Sequence, residues 1–280
     1  MDGLEKEIQK VINQRNNSPV KDFSGYTPNE MTTILYDPFH ENSPIQICKV
    51  EQEIYNQVPL LLQIKYLLKI IEEQGELKLT GYGNLPKKVV FEIYEQGFIK
   101  DYAIETGISK LHKEGSVPAI HLTKILVELS RMVKKRNNRL SLTKLGKEKI
   151  ANNSFIFQDL FKNFTTRFNW AYFDAYSDLH AGQFGFGYTL ALFSLYGRTP
   201  RSTDFYSEKY TTAFGNNVQP DTNRLFDASA SAYEIRTFER FLDYFGFTEY
   251  DEVKKDVLVK ASSTFFELIN IRHPIMTKKT

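Results

Sequence analysis

The sequence predicts a mainly α-helical protein in which a winged-helix-like domain with a small antiparallel wing sheet is followed by an aromatic-rich helical domain. Three observations point there. Apolar residues recur at helical spacing through most of the chain. Two short alternating runs, Leu77-Lys-Leu-Thr80 and Leu140-Ser-Leu-Thr143, each carry a glycine three positions after the threonine (Gly83 and Gly146) and lie between helical patterns. They read as strands of one small sheet. Of the 39 Phe, Tyr and Trp residues, 26 fall between positions 155 and 250, so the second half builds its core from rings and the first from Leu, Ile and Val.

Residues 1–58 form an N-terminal helical arm and connector. Leu4, Ile8 and Val11 are spaced to line one short helix face, in a segment whose charge, Asn and Gln suit a loose arm equally well. Thr27-Pro-Asn-Glu30 is a helix start: Thr27 accepts from the amide three residues on, Pro28 suits the first helical position, and Glu30 reaches back. That helix stops at Asp37-Pro38, and residues 37–44 are a turn-rich connector.

Residues 59–152 are the winged-helix-like domain. Pro59 opens a helix with Leu60, Leu61, Ile64, Leu67, Leu68 and Ile71 on its apolar face, closed by Gly75. A short strand over 76–80 follows. Asn84-Leu-Pro86 starts a second helix, which buries Val89, Val90, Ile93 and Tyr94 and ends at Gly97. A third helix runs from Pro118 toward Met132 and buries Ile120, Ile125, Leu126, Leu129 and Val133. Residues 133–136 and 139–142 flank Asn137-Asn138. Asparagine tolerates positive φ, so the pair suits a two-residue primed hairpin loop, and Thr143 caps the next helix. The order helix, strand, helix, helix, strand, strand makes the two Leu-x-Leu-Thr runs the two edges of one three-stranded sheet.

Residues 153–280 are the aromatic-rich domain. Phe157, Leu160, Phe161, Phe164 and Phe168 form one helical stripe, residues 188–196 a short buried helix, and residues 197–223 an irregular connection. Ser231-Ala-Tyr-Glu234 is a capping box opening a helix that Gly246 ends. A hairpin and an apolar helix over 265–269 follow, so helix, hairpin and helix echo the first domain as a degenerate second winged unit.

Two passages carry resemblances. The run 126–146, which includes Arg131, Lys134, Lys135, Arg136 and Arg139 and ends in Leu142-Thr-Lys-Leu-Gly146, resembles the recognition helix, wing and Leu-Thr-x-x-Gly passage of MarR-type winged-helix regulators. About twenty residues separate the second and third helices, where MarR proteins have a short turn. Leu79-Thr-Gly-Tyr-Gly-Asn-Leu-Pro86, with Asp37-Pro-Phe39 upstream, resembles an uncharacterised bacterial family with an LTxxGNLP motif. That family implies no established activity.

Charge placement supplies the functional expectation. The net charge is only +2, yet residues 110–149 hold 11 Lys or Arg against 3 Asp or Glu, so a basic block sits on a mildly acidic remainder. Arg131, Lys134, Lys135, Arg136 and Arg139 lie where a hairpin could track a phosphate backbone. The expectation is a nucleic-acid-binding or regulatory protein using this basic wing. The alternative is a protein-interaction or scaffold module whose aromatic half docks a partner or a second copy.

Other chemistry has thinner support. Asp174 and Asp178 stand one helical turn apart with His180 near by, but no fourth ligand of recognisable spacing follows, and the group reads as an ordinary helix end. Gly182-Gln-Phe-Gly-Phe-Gly187 lacks the apolar strand that precedes a phosphate cradle, and reads as a tight turn between helices. His40, His112, His121 and His273 are dispersed, with surface or loop positions expected. No nucleophile-elbow, zinc-protease or P-loop sequence occurs, so no catalytic residue, metal or cofactor is assigned. The single cysteine, Cys48, excludes an internal disulfide and reads as a small buried hydrophobe. The opening Met-Asp-Gly-Leu-Glu-Lys-Glu lacks the order of a signal peptide, and the longest charge-free run, 181–197, is glycine-broken and short for a membrane span. A cytoplasmic protein without a membrane partner is expected.

Overall fold

A computed structural model describes residues 2–176, 180–215, 228–253 and 256–274. In chain order the elements begin with α1 (Asp2–Asn16), α2 (Pro28–Tyr36), β1 (Ile45–Ile47), α3 (Gln52–Tyr55) and α4 (Pro59–Gln74). Next come β2 (Leu77–Lys78), α5 (Lys87–Glu95), α6 (Tyr102–Glu105), α7 (Pro118–Leu129), β3 (Val133–Arg136) and β4 (Arg139–Leu142). Then follow α8 (Lys144–Lys149), α9 (Asn153–Thr166), α10 (Phe186–Tyr196), α11 (Thr203–Phe214) and α12 (Ala228–Glu234), the last continued by a π-helical segment, Ile235–Leu242. The chain finishes with β5 (Thr248–Val253), β6 (Asp256–Ala261), α13 (Ser263–Leu268) and β7 (Ile269–Ile271). It is a mainly α protein with small antiparallel sheets.

Two compact units cut across the expected boundaries. The central-segment unit is drawn from residues 49–173 and 244–246, the terminal-segment unit from 1–48, 174–243 and 247–280. The boundary expected at 152/153 therefore falls inside the first of these. The aromatic stripe of α9 packs against α3, α4 and α7, the Leu/Ile helices it was separated from by composition. The N-terminal connector joins the C-terminal part of the chain because β1 takes its hydrogen-bonding partner there: Ile45 pairs with Ile271 and Ile47 with Ile269, antiparallel. A three-residue strand has no stability of its own, so it lies where an edge is available.

In the central-segment unit, α4 and α7 are joined across the core by a polar link. The buried Gln63 amide donates to the Ala119 carbonyl (3.1 Å) and the Thr123 hydroxyl (2.7 Å). Phe157, Phe161 and Phe164 on α9 meet Phe245 edge-on at centroid separations of 6.0, 5.1 and 5.5 Å, the geometry ring quadrupoles favour. Trp170 is buried and its indole N–H donates to the Phe164 carbonyl (2.8 Å).

The terminal-segment unit surrounds α10, which is buried from Phe186 to Ser194. The glycine-rich passage before it is the expected turn, with Gly185 in the left-handed region at φ 73° capping α10. Tyr233 stacks on Tyr210 at 4.4 Å and hydrogen bonds to Thr189 (3.1 Å). The box at 231–234 is not a helix start, since Ser231 lies inside α12, which already includes Ala228. Nor does a second wing sheet form among the described residues: β5 and β6 pair as a two-stranded hairpin extended by one Arg201–Val259 bridge, and β7 goes to β1. α1 is a helix with Leu4, Ile8, Val11 and Ile12 exposed. Cys48 is half-buried.

Candidate nucleic-acid interface

The central-segment unit contains a three-stranded sheet in the order β2-β4-β3, all antiparallel. The second Leu-x-Leu-Thr run is thus the middle strand, not an edge as expected. Asn137 and Asn138 both have positive φ (48° and 58°), giving the primed hairpin that joins β3 to β4. Strand pleating then divides the side chains between two faces. Val133, Leu140, Leu142 and Leu77 point to the core, with Leu77 opposite Leu140 and Val133 opposite Leu142. Lys78, Arg139 and Arg136 lie opposite one another across all three strands on the outer face, and Lys134 lies beside Ser141 on the same face.

This row is electrostatically costly. Like charges directly opposite one another destabilise a sheet, and at the usual strand spacing three cations occupy roughly 10 Å. One carboxylate relieves it: Glu76 meets Arg139 at 3.4 Å, both half-exposed, a pair of small energetic weight. Lys78, Lys134 and Arg136 are exposed and have no ion-pair partner among the described residues.

The end of the sheet is fixed by the Leu79–Pro86 motif. The Leu79 amide donates to the Asn138 carbonyl (2.9 Å), and the Asn138 side chain donates to the Thr80 carbonyl (2.5 Å). Within the turn, Thr80 N–H donates to Asn84 O (2.8 Å), Gly83 N–H to Thr80 O (2.8 Å) and Asn84 N–H to the Thr80 hydroxyl (3.1 Å). Gly83 takes φ 77°, which glycine adopts without strain. Tyr82 at the tip is 96 % exposed.

Beneath the turn lies a charge cluster. The Leu85 amide donates to Glu114 Oε2 at 2.5 Å, while Glu114 Oε1 is buried without a hydrogen-bond partner among the described residues. His121 Nε2 and Lys124 Nζ approach that oxygen at 3.6 and 3.7 Å, Lys124 continues to Glu128 (3.2 Å), and Glu128 to Lys135 (3.1 Å). Burial raises the Glu114 carboxyl above its usual range, with the Leu85 amide and Lys124 pulling against it. Burial and the Lys124 charge lower the His121 imidazole. His121 sits half-buried on α7 with Tyr172 and Phe173 edge-on at 5.6 and 5.5 Å, not in the surface or loop position expected of it.

The five expected contact residues separate accordingly. Lys134, Arg136 and Arg139 share the outer face. Lys135 has the opposite pleat and reaches Glu128. Arg131 precedes β3, exposed, and its charge opposes the burial that raises Asp159. Lys78 joins the face unforeseen. Its alternation with Leu77 and Leu79 signals an outward side chain, but its place beside Arg139 depends on a pairing between residues far apart in sequence. α7, the helix expected to resemble a MarR recognition helix, has no exposed residue, because α4, α5, α9 and β3 pack around it. It is closed to a DNA groove.

Asp174 belongs to the terminal-segment unit and is held in an ion-pair cluster. The buried Arg236 guanidinium binds it through Nε (3.0 Å) and Nη2 (2.7 Å), and Arg240 Nη1 adds 3.0 Å. Burial raises its carboxyl, but the Arg236 hydrogen bonds and charge, with Arg240 behind them, more than reverse that and hold it below its usual range. Asp178 lies outside the described residues, and His180 is exposed. Among the described residues no group of three or more His, Cys, Asp or Glu is placed to hold a metal ion, and no helix is long and apolar enough to cross a membrane.

The sheet, its turn and the closed α7 together define a small helical unit presenting one basic sheet face. Residues 56–154, which span it from the approach to α4 through α8, match the family model of the Y4jL N-terminal domain, an uncharacterised family. No curated protein and no solved structure matches the chain.

Proposed function

We propose that the outer face of the β2-β4-β3 sheet binds a nucleic-acid backbone, in the manner of a wing without a recognition helix. The observation that carries the reading is the cross-strand row of Lys78, Arg139 and Arg136 with Lys134 beside it, three of the four lacking a carboxylate partner among the described residues. A fold that accepts this repulsion in the free state recovers it when phosphates take the place of the absent carboxylates. With α7 closed, such binding positions the protein on the backbone and reads no base edge in a groove. The protein-interaction alternative expects the aromatic half to dock a partner, whereas the exposed apolar face that the described residues offer is on α1. Nothing identifies an occupant for that face, so the sheet carries the conclusion.

The test is the salt dependence of binding. Each phosphate contact contributes about −0.9 to the slope of log K against log salt on duplex DNA and about −0.7 on a single strand. Lys78→Ser, Lys134→Ser and Arg136→Ser combined are expected to flatten the slope by about 2 to 3 and to weaken binding at low salt. An unchanged slope and affinity would refute the proposal.

A further inference from the structure

We infer that Tyr82 is a stacking platform for an unpaired base, so that the ligand of this surface is single-stranded nucleic acid. The inference rests on the phosphate-binding reading of the sheet face and adds the class of nucleic acid. A tyrosine ring normally contributes to stability by burial, and six of the 16 tyrosines, Tyr26, Tyr55, Tyr188, Tyr206, Tyr210 and Tyr233, are within 1 % of full burial, whereas Tyr36 and Tyr102 are largely exposed and Tyr82 more so than either. Tyr82, at 96 % exposure, contributes nothing of that kind.

Yet the segment that displays it is held by six hydrogen bonds. Three hydrogen bonds close the turn on itself, two more pin it to the Asn137-Asn138 hairpin, and the Leu85 amide anchors its far end on Glu114. That anchor is a buried carboxylate whose other oxygen has no hydrogen bond among the described residues and is met only by ion pairs to His121 and Lys124 at 3.6 and 3.7 Å, an arrangement that costs stability. The fold therefore sustains a buried charge in order to hold a loop whose tip makes no contact of its own. Such rigidity lowers the entropic cost of binding, since the ring is already presented before a ligand arrives.

The surroundings specify the ligand. Lys78 precedes the turn, Lys87 and Lys88 follow it, exposed at the start of α5, and the cations of the sheet's outer face lie on the strands to which the turn is pinned. An aromatic face set among cations suits a chain of stackable bases on a charged backbone. A duplex offers the backbone but keeps its bases stacked inside, and α7, beside the sheet, exposes no residue to its groove. Single strands of DNA and RNA share the required chemistry.

Fluorescence anisotropy with labelled oligothymidylate, oligouridylate and a DNA duplex of the same length tests this on the full chain. Wild-type protein is expected to prefer the single strands, and Tyr82→Ala to weaken them about 5- to 100-fold while changing duplex binding by less than about twofold. Tyr82→Phe should retain single-strand affinity, and the indole introduced by Tyr82→Trp should be quenched on binding. Because Tyr82 makes no packing contact, these variants are expected to melt with the wild type, and the melt is recorded alongside. Single-strand affinity unaffected by Tyr82→Ala overturns the inference, as does equal affinity for the duplex. If the combined Lys78, Lys134 and Arg136 variant still loses affinity in that case, the sheet reading survives and only the stacking falls. If the charge variant binds as wild type, the sheet reading itself has failed.

Discussion

Glu114 offers a way to separate two things one carboxylate does, accepting a backbone hydrogen bond and carrying a charge in the interior. In Glu114→Ala the Leu85 amide, 2.5 Å from Oε2, loses its acceptor at a buried site. An orphaned buried donor costs about 1–3 kcal/mol, and loss of the side-chain methylenes adds about 1 kcal/mol or more. Against this stands relief of a buried charge whose Oε1 has no hydrogen bond, only ion pairs to His121 and Lys124, worth about 1–2 kcal/mol. Lys124 does not become an unpaired cation, because Glu128 remains 3.2 Å away. The net expectation is a loss of about 1–2 kcal/mol. Glu114→Gln keeps an acceptor for Leu85 and removes the charge, so it should stay within about 1 kcal/mol of wild type near neutrality.

The pH dependence gives the sharper readout. The folded Glu114 carboxyl is raised, so the native state retains a proton at pH values where the unfolded chain has released it. Its contribution to stability is full below the unfolded value of about 4.3 and is lost as pH rises through the folded one. His121 acts with the opposite sign: its lowered folded value makes its contribution full above about pH 6.5 and lost as pH falls. Its Nε2 stands 3.6 Å from Glu114 Oε1, so loss of that carboxylate lowers the imidazole further and adds, with the same sign, to the rise in the difference with pH. Glutamine does not titrate, and the stability of Glu114→Gln relative to wild type should climb from about pH 4.5 upward and then level off. Urea unfolding followed by Trp170, the single tryptophan, buried in the same unit, measures this. A difference constant across the range would show that Glu114 is not perturbed, and an alanine variant as stable as the glutamine one would show that the turn does not depend on it.

Two further outcomes follow from the same structure. Asp174→Asn removes the charge that the Arg236 and Arg240 guanidiniums share and should cost about 1.5–3 kcal/mol in chemical denaturation; because the Asp174 carboxyl is lowered, wild-type stability from this pair should be present above about pH 3.9 and fade as pH falls through the folded value, a slope absent from the variant. Gly146→Ala should cost about 1–3 kcal/mol in thermal unfolding, since a Cβ there would overlap the Met132 carbonyl where α8 crosses the start of β3.

Local signals in the sequence matched the structure where one element decides its own form. The Thr27–Glu30 capping box, Gly75 at the end of α4 and the two positive-φ asparagines are settled by backbone and cap chemistry within a few residues. Long-range pairing was not legible. Composition set the rings of α9 apart from the aliphatic helices, yet a phenylalanine stripe and a leucine face bury equally well against each other, and packing ignored the contrast. The basic wing was visible as a run of charge, but a run does not reveal pleat. Alternation sends Lys135 toward Glu128 and Arg136 outward, and strand pairing brings in Lys78 from a segment with acidic flanks.

The same distinction explains the pair of Leu-x-Leu-Thr-x-x-Gly runs. Their leucines match because the strands are direct neighbours facing one core, Leu77 opposite Leu140. Their last two letters agree for unrelated reasons. The Thr80 hydroxyl accepts from the Asn84 amide to close a turn, whereas the Thr143 hydroxyl accepts from the Gly146 amide (3.0 Å) to start a helix. Gly83 is required by a positive φ, whereas Gly146 is required by the approach of the Met132 carbonyl to a helical backbone. A duplicated strand would preserve the cause along with the letters. Here the causes differ at both positions, so the likeness is what two adjoining strands acquire when each must supply a buried leucine pair and then leave the sheet at once. The functional difference follows from that exit: β4 leaves into a helix seated on the start of β3 through its buried Gly146, and β2 leaves into a turn that holds Tyr82 in solvent.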